Sequence, residues 1–433
     1  MPDEPWVGSL GADPEQPAPG EPAPDQMASG EMAPDELVAQ PSSEPNDSDR
    51  PKRRGKVKTR HTVARVLTVT VLLLAMMTGL TVVYWFRHLS GNLTVVNYEN
   101  ELSNRPTKQK VEGPKDPLNI LVMGSDTREG QGNAIDQESG GGSDTTILLH
   151  LSADRTHAYG VSIPRDSMVD RPACDHGAIP AASYQQWNAA FSIGGAPCTI
   201  QQFEQLTGIR VDHYVVVDFN GFQGMVDAIG GVEVCIPETI DDRSHGIYLK
   251  AGTREVEGRE ALAYVRQRYA VGDGSDIGRM KRQQAFIASM ANKVVSAGTL
   301  TNPQRLLGFL NAATQSLKVD KGLDNVGKIA QLGFEFRHID LANIQFLTIP
   351  WGWDPNDPNR VVWAPEAKQV WQRITRDEPL TRKLTVDAIS AAKPHSSKGK
   401  KNKNGGVTPS PPRPRRTRPP RALVCAPRGS ADD

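Results

Sequence analysis

The stretch DTTILLHLSADRTHAYGVSIPRD, residues 144–166, decides the fold class. It holds two short apolar runs, 144–152 and 158–166, and Ala153-Asp154-Arg155 between them reads as a hairpin turn. Apolar residues are nearly continuous in both runs, as in strands whose sheet is covered on both faces. A third such run, LNILVMG (118–124), comes just before and closes on Gly124-Ser125-Asp126-Thr127-Arg128. A Gly-rich loop, 130–142, joins it to the pair. Downstream, Thr199–Thr207 reads as a short helix stopped by Gly208. HYVVVDF (213–219) is a strand, 220–229 a helix ending at Gly230-Gly231, and VEVCIP (232–237) a strand. Residues 238–257 read as irregular or hairpin, 343–350 as a late strand, 351–359 as a loop and 365–376 as a final helix. Strands alternating with helices predict a layered α/β domain.

The flanks have other compositions. Residues 1–50 carry twelve Asp and Glu, one Arg and ten Pro, too little apolar surface to offset chain entropy, so this acidic segment is expected to be disordered. Seven basic residues between 51 and 65 then precede an uncharged apolar run, 66–86. As a helix it spans about 31 Å, close to the hydrocarbon thickness of a bilayer. Tyr84 and Trp85 stand at its far end, where an aromatic belt belongs. The run is longer than a signal-peptide core and starts far from Met1, so it reads as a retained single-pass anchor. The basic flank predicts a cytoplasmic N-terminus and an external domain. Residues 87–115 read as a stalk, 116–376 as the folded domain and 377–433 as a disordered basic tail. Of the four cysteines, Cys174, Cys198 and Cys235 fall in the external domain, where disulfides persist. One pair among these three is expected, with Cys174–Cys198 favoured because both flank one loop. Cys425 lies in the tail, and no role is assigned to it.

The chemistry-bearing residues cluster in ALAYVRQRYAVGDGSDIGRMKRQQ, residues 261–284. Helical runs at 259–268 and 279–300 flank a Gly/Asp loop and would direct Arg266, Arg268 and Arg279 toward it. Guanidinium pairs with phosphate oxygens bidentately and keeps its charge. A solvated basic helix end would look the same in sequence. HExxH, GxxxxGK[ST] and GxSxG motifs are absent, which leaves metalloprotease, P-loop and esterase chemistry without support. What remains is arginines plus carboxylates at strand ends. Asp126 and Asp144 sit where two strands meet at one sheet edge, an oxygen-donor pair suited to Mg²⁺. Asp166, beside Arg165 at the end of another strand, points to the same neighbourhood. No nucleic-acid partner is expected.

Seven segments, in order, resemble the LytR-CpsA-Psr family: NILVMGSDTR, SDTTILLHLS, SIPRDSMV, WNAAFSIGG, VDHYVVVDFNGFQGMVDAIGGVEV, GREALAYVRQR and DIGRMKRQQ, together covering about 118–297. The resemblance implies an α-β-α sandwich with a central mixed sheet behind a single transmembrane helix. It implies a membrane-anchored, Mg²⁺-assisted phosphotransferase that moves a glycopolymer from a polyprenyl (pyro)phosphate carrier onto peptidoglycan. By position, Asp126 and Asp144 would hold Mg²⁺, and Arg165, Arg266 and Arg268 the pyrophosphate. Asp276, Arg279 and Gln283 would complete the pocket, with Asp166 orienting its neighbours. Two positions depart from the pattern: Gly142 and Gln186 stand where many members carry a cation. Two other functions share these residues, a lipid-carrier pyrophosphatase using water at the same site and a non-catalytic wall-binding protein.

Overall fold

The computed structural model describes residues 59–125, 143–242, 247–267, 276–296, 299 and 302–395. The chain divides into two units, 1–67 and 68–433. Of the first, the described part is the opening of a long helix, α1 (Thr59–Asn92). This is the helix among the described residues long and apolar enough to cross a membrane, and its aliphatic side chains are exposed along the span. Thr78 and Thr81 return their hydroxyls to the carbonyls of Leu74 and Met77, both at 2.8 Å. Neither hydroxyl therefore needs water, which suits a helix in hydrocarbon.

After the rest of α1, the second unit continues with β1 (Thr94–Val95), β2 (Leu118–Ser125), β3 (Ser143–Leu151), β4 (Ala158–Ile163), β5 (Met168–Arg171) and β6 (Ala182–Gln186). Next come α2 (Ala189–Thr207), β7 (His213–Asp218), α3 (Phe219–Ala228), β8 (Val232–Ile236), β9 (Ile240–Asp242), β10 (Ile247–Leu249) and β11 (Gly252–Val256). Two helices, α4 (Gly258–Arg266) and α5 (Asp276–Ser296), lead to α6 (Pro303–Ser316), β12 (Leu317–Val319) and α7 (Val326–Arg337). The chain then forms β13 (Ile344–Thr348), β14 (Trp351–Trp353), β15 (Val361–Trp363), α8 (Glu366–Thr375) and β16 (Ile389–Ser390).

Eight strands form one sheet in the order β1-β12-β7-β2-β3-β4-β13-β16. It is mixed: β2–β7 and β4–β13 pair parallel, whereas β2–β3 and β3–β4 pair antiparallel. Successive β2 side chains explain the layering. Leu121 and Met123 face a core shared with Ile200 and Phe203 of α2 and Val370, Trp371 and Ile374 of α8. Ile120 and Val122 face the opposite core, with Ile287 and Ala288 of α5 and Leu332 and Phe336 of α7. A period-two strand with both faces apolar must be covered on both sides, and the α-β-α sandwich does so. A third cluster joins α3, α4 and the β8–β11 strands to Phe286 of α5.

The domain is larger at both ends than its sequence boundaries suggest. The helix expected over 66–86 continues to Asn92, and the stalk is folded: β1 joins the sheet, Leu93 and Leu102 are buried, and Arg105 pairs with buried Glu204 at 2.6 Å. At the other end, residues 377–395, expected to belong to the tail, are folded: β16 pairs with β13, and Leu380 and Ala391 are buried. These short segments lack periodicity because each contributes only two or three residues to a layer built elsewhere. The β14–β15 hairpin likewise replaces the start of the loop expected at 351–359. The expected helix at 199–207 begins at Ala189 and kinks at Gly194-Gly195, where Gly195 has φ +65°, before Pro197. Cys174 and Cys198 are disulfide-bonded with Cα atoms 5.3 Å apart, and Cys235 is buried in β8.

Candidate active site

Arg165 and Asp166 follow β4 on a backbone pinned from two sides. Asn188 donates its amide to the Arg165 carbonyl at 3.2 Å, Trp187 to the Ser167 carbonyl at 2.8 Å and Val361 to the Asp166 carbonyl at 3.3 Å. The Trp187 indole is buried and donates to Thr146 Oγ1 of β3 at 3.0 Å, which fixes the 187–188 segment over the sheet. The WNAAF segment thus acts as a brace that sets where Arg165 leaves the backbone.

The partner of Arg165 is Asp276, the first residue of α5. Arg165 Nε lies 3.3 Å from Asp276 Oδ1, and Arg279, one helical turn on, reaches the same oxygen through Nη2. The i,i+3 spacing places Asp276 and Arg279 on one helix face. Asp276 in the first turn also suits the positive end of the helix dipole. Arg279 is buried. Gln283, one turn further, accepts from Thr145 Oγ1 at 3.2 Å and donates to the Val265 carbonyl at 3.3 Å. It therefore ties α5 to β3 beside Asp144 and to the end of α4 beside Arg266. Arg282 donates to the Gln267 carbonyl at the same junction.

The structure thus brings Arg165, Asp166, Asp276, Arg279 and Gln283 together and ends α4 with Arg266 alongside. Asp126 and Arg268 lie outside the described residues, as does the side chain of Asp144. Among the described residues, the last residue of β2, Ser125, pairs with Ser143, which Asp144 follows at the start of β3. Arg360 was missed. Its Nη1 lies 3.3 Å from Asp166 Oδ1, the same oxygen that Gln186 Nε2 donates to at 3.2 Å. Arg360 closes the Trp/Pro/Asn-rich stretch after β14, far from the other motifs in sequence. Nothing in its local pattern marks it, and only the pairing of Ser167 with Val361 brings it near. Among the described residues, Arg165, Arg279 and Arg360 stand against Asp166, Asp276 and the more exposed Asp357, which lies 3.8 Å from Arg360 Nε. Clustered guanidinium groups of this kind can pair with the oxygens of an anion.

A sequence model of the LytR_cpsA_psr family matches residues 85–376. The chain belongs to this LytR-CpsA-Psr family. Among curated relatives, the cell wall biosynthesis protein LcpA of Corynebacterium glutamicum is 33% identical over 262 residues, which is 53% of this chain and 49% of that protein. The polyisoprenyl-teichoic acid–peptidoglycan teichoic acid transferase TagU of Enterococcus faecalis is 30% identical over 263 residues, 60% of this chain and 79% of that one. A crystal structure from Streptococcus agalactiae matches with TM-score 0.50 and 21% identity, covering 62% of this chain and 90% of the other, and shares the fold. The chain spans about half the length of LcpA and of its C. glutamicum relative LcpB, at 49% and 52%. The family match starts at residue 85, in agreement with a domain that includes the segment between α1 and β2.

Proposed function

We propose that this LytR-CpsA-Psr chain is a membrane-anchored phosphotransferase that moves a glycopolymer from a polyprenyl pyrophosphate carrier onto peptidoglycan. One observation carries the reading: Arg165 and Arg279, from the end of β4 and the first turn of α5, converge on a single oxygen of Asp276. The E. faecalis relative is named for transfer of a polyisoprenyl-linked polymer to peptidoglycan, which supplies the chemical class of donor and acceptor. The helix α1 would hold the domain at the membrane face, with the N-terminus cytoplasmic and the domain outside, where a lipid donor and a wall acceptor are both within reach.

The residues have distinct parts in this reaction. The acceptor hydroxyl attacks the glycan-side phosphorus and the bridging P–O bond to the lipid phosphate breaks, so the transfer depends on positioning and on neutralising charge that develops on the leaving polyprenyl phosphate. Arg165, Arg279, Arg266 and Arg268 would bind the phosphate oxygens. Asp276 keeps Arg165 and Arg279 preorganised rather than leaving them to be ordered when substrate arrives. Asp166, held by Gln186 and Arg360, is placed to orient Arg165, whose Nε lies 3.7 Å away. Asp126 and Asp144, each following one residue of the Ser125–Ser143 pair, offer carboxylate oxygens, the donor set that Mg²⁺ prefers. Bound there, Mg²⁺ would neutralise charge on the pyrophosphate. The attacking group is a sugar hydroxyl of the acceptor.

The test uses the full chain in lipid nanodiscs with Mg²⁺ and a donor labelled in its glycan, with and without peptidoglycan. Label transferred to the glycan acceptor is the expected result. Lipid phosphate released equally fast without acceptor would replace transfer by pyrophosphate hydrolysis. Donor bound but never consumed would replace it by a binding function.

A further inference from the structure

Three electron-pair donors converge at the end of β3 remote from the cluster above. His150 is buried on β3, His157 sits at the close of the β3–β4 turn, and Asp377 follows α8. Their ligand atoms all lie within 4.8 Å of one another. His150 is six residues along β3 from Asp144, about 20 Å at strand spacing.

The hydrogen bonds around them fix the ring protons. The Asn119 amide nitrogen donates to the Arg210 carbonyl at 3.2 Å, which turns the Asn119 oxygen to His150 Nδ1 at 2.8 Å. An oxygen acceptor there requires a proton on Nδ1, so neutral His150 presents a lone pair at Nε2. That Nε2 stands 3.0 Å from Asp377 Oδ1, which is itself only an acceptor. The other Asp377 oxygen is committed to the Ala153 amide at 2.9 Å. The same logic applies to His157. Thr156 spends its hydroxyl proton on Asp154, at 2.8 Å to Oδ1 and 3.0 Å to Oδ2, so its oxygen accepts from His157 Nδ1 at 3.1 Å. His157 Nε2 is left as a bare lone pair, buried and without a hydrogen-bond partner among the described residues. Two imidazole nitrogens and one carboxylate oxygen therefore face each other, and a metal ion would take the place of the single proton that His150 Nε2 shares with Asp377 Oδ1.

We propose that His150, His157 and Asp377 form a binding site for a divalent transition metal of the zinc class, separate from the catalytic cluster. Two imidazoles and one carboxylate suit Zn²⁺ or Co²⁺ and disfavour Mg²⁺, which takes oxygen ligands. Asn119 and Thr156 accept from the remote ring nitrogens of His150 and His157, the kind of outer contact that orients a metal-binding histidine. The ion would clamp β3 and the β3–β4 turn to the turn after α8. Its effect would be on stability and not on turnover, because a ligand that binds only the folded state raises the unfolding temperature.

The experiment titrates tag-free, metal-stripped full-length protein in detergent with Zn²⁺ under millimolar Mg²⁺, by calorimetry and by thermal unfolding. Wild type is expected to take up one equivalent with a raised Tm, and Co²⁺ should give a visible ligand-field spectrum of a nitrogen-liganded site. Asp144→Asn should retain that equivalent. His157→Gln should lose it, and Asp377→Asn should weaken it by about tenfold or more. Asn tolerates the left-handed backbone at 377, where φ is +56°, so this variant keeps the turn. Circular dichroism checks that both variants fold. Zn²⁺ uptake that is identical in wild type, His157→Gln and Asp377→Asn would overturn the site. Wild type that takes up no Zn²⁺ would also overturn it, leaving a protonated His150–Asp377 ion pair.

Discussion

Arg165 and Arg279 lean on one oxygen of Asp276, and that shared contact makes each sensitive to loss of the other. Removing either guanidinium leaves its partner mispositioned and the developing charge on the leaving group poorly matched. Arg165→Ala or Arg279→Ala should lower kcat/KM for donor by about 10²–10³-fold, the usual cost of one preorganised charge-stabilising donor. Initial-rate assays with labelled donor measure this, and full activity in both variants would move the anion site elsewhere. Arg360 and Gln186 donate to one oxygen of Asp166, so a cation from either position can serve that carboxylate. Arg360→Ala should cost about tenfold in kcat/KM, and adding Gln186→Lys should restore most of it. A double-variant cycle reads the coupling directly. Strict additivity would show that Arg360 and Gln186 act independently.

Helix contacts here leave little room for change. Gly221 of α3 packs so close to α6 that an added Cβ would lie 1.5 Å from Ser316 Cβ and 2.7 Å from its Cα. Backbone atoms cannot swing away as a long side chain can. Gly221→Ala should therefore cost about 1–3 kcal/mol by overpacking, seen as a lower denaturation midpoint. A midpoint equal to wild type would show that the two helices separate freely. Helix α7 is held by charge as well as by its apolar face. Lys115 donates to both Glu335 oxygens at 2.7 Å, and Arg155 Nε donates at 2.8 Å. The bond from Lys115 and then that from Arg155 hold the Glu335 carboxyl below its ordinary 4.5, against the opposing effect of burial. Between 4.5 and the lower folded value the unfolded chain binds more protons, so stability falls as pH drops through that window. Tm measured from pH 6 to pH 3 should show this decline, and Glu335→Gln should flatten part of it. An unchanged slope in the variant would assign the acid loss to other carboxylates.

Over the whole molecule, the last described residues close the sheet. Strand β16 caps β13, Ala391 is buried, the Leu380 amide donates to Tyr159 Oη at 3.0 Å, and the Asp377 carboxylate accepts from Ala153. Compared with a chain ending at His395, one ending at Arg376 should lose several degrees of Tm and much of its solubility. The loss follows from an uncovered β13 edge and exposed apolar core. Equal Tm values for the two truncations would return residues 377–395 to the tail.

The sequence by itself determined the layers, the long apolar helix and most of the Arg/Asp cluster. Continuous apolar runs in β2–β4 demand cover on both faces, a local property readable from a few residues at a time. Arg165, Asp166, Asp276, Arg279 and Gln283 stand at the ends of strong strands or in the first turns of a strongly patterned helix, where direction follows from periodicity. The Cys174–Cys198 pair was likewise legible, because both residues flank one loop. Only the tertiary structure decided which residues from weakly patterned stretches join them. Arg360 comes from beyond a Trp/Pro/Asn stretch nearly two hundred residues from Asp166, brought there by the Ser167–Val361 bridge. His150, His157 and Asp377 read singly as one strand residue and two turn residues. The strands β1, β12 and β16 have two or three residues each, too few to carry a period. Long-range pairing sets these positions, and its energy lies in contacts between segments that carry no trace of one another in their local sequence.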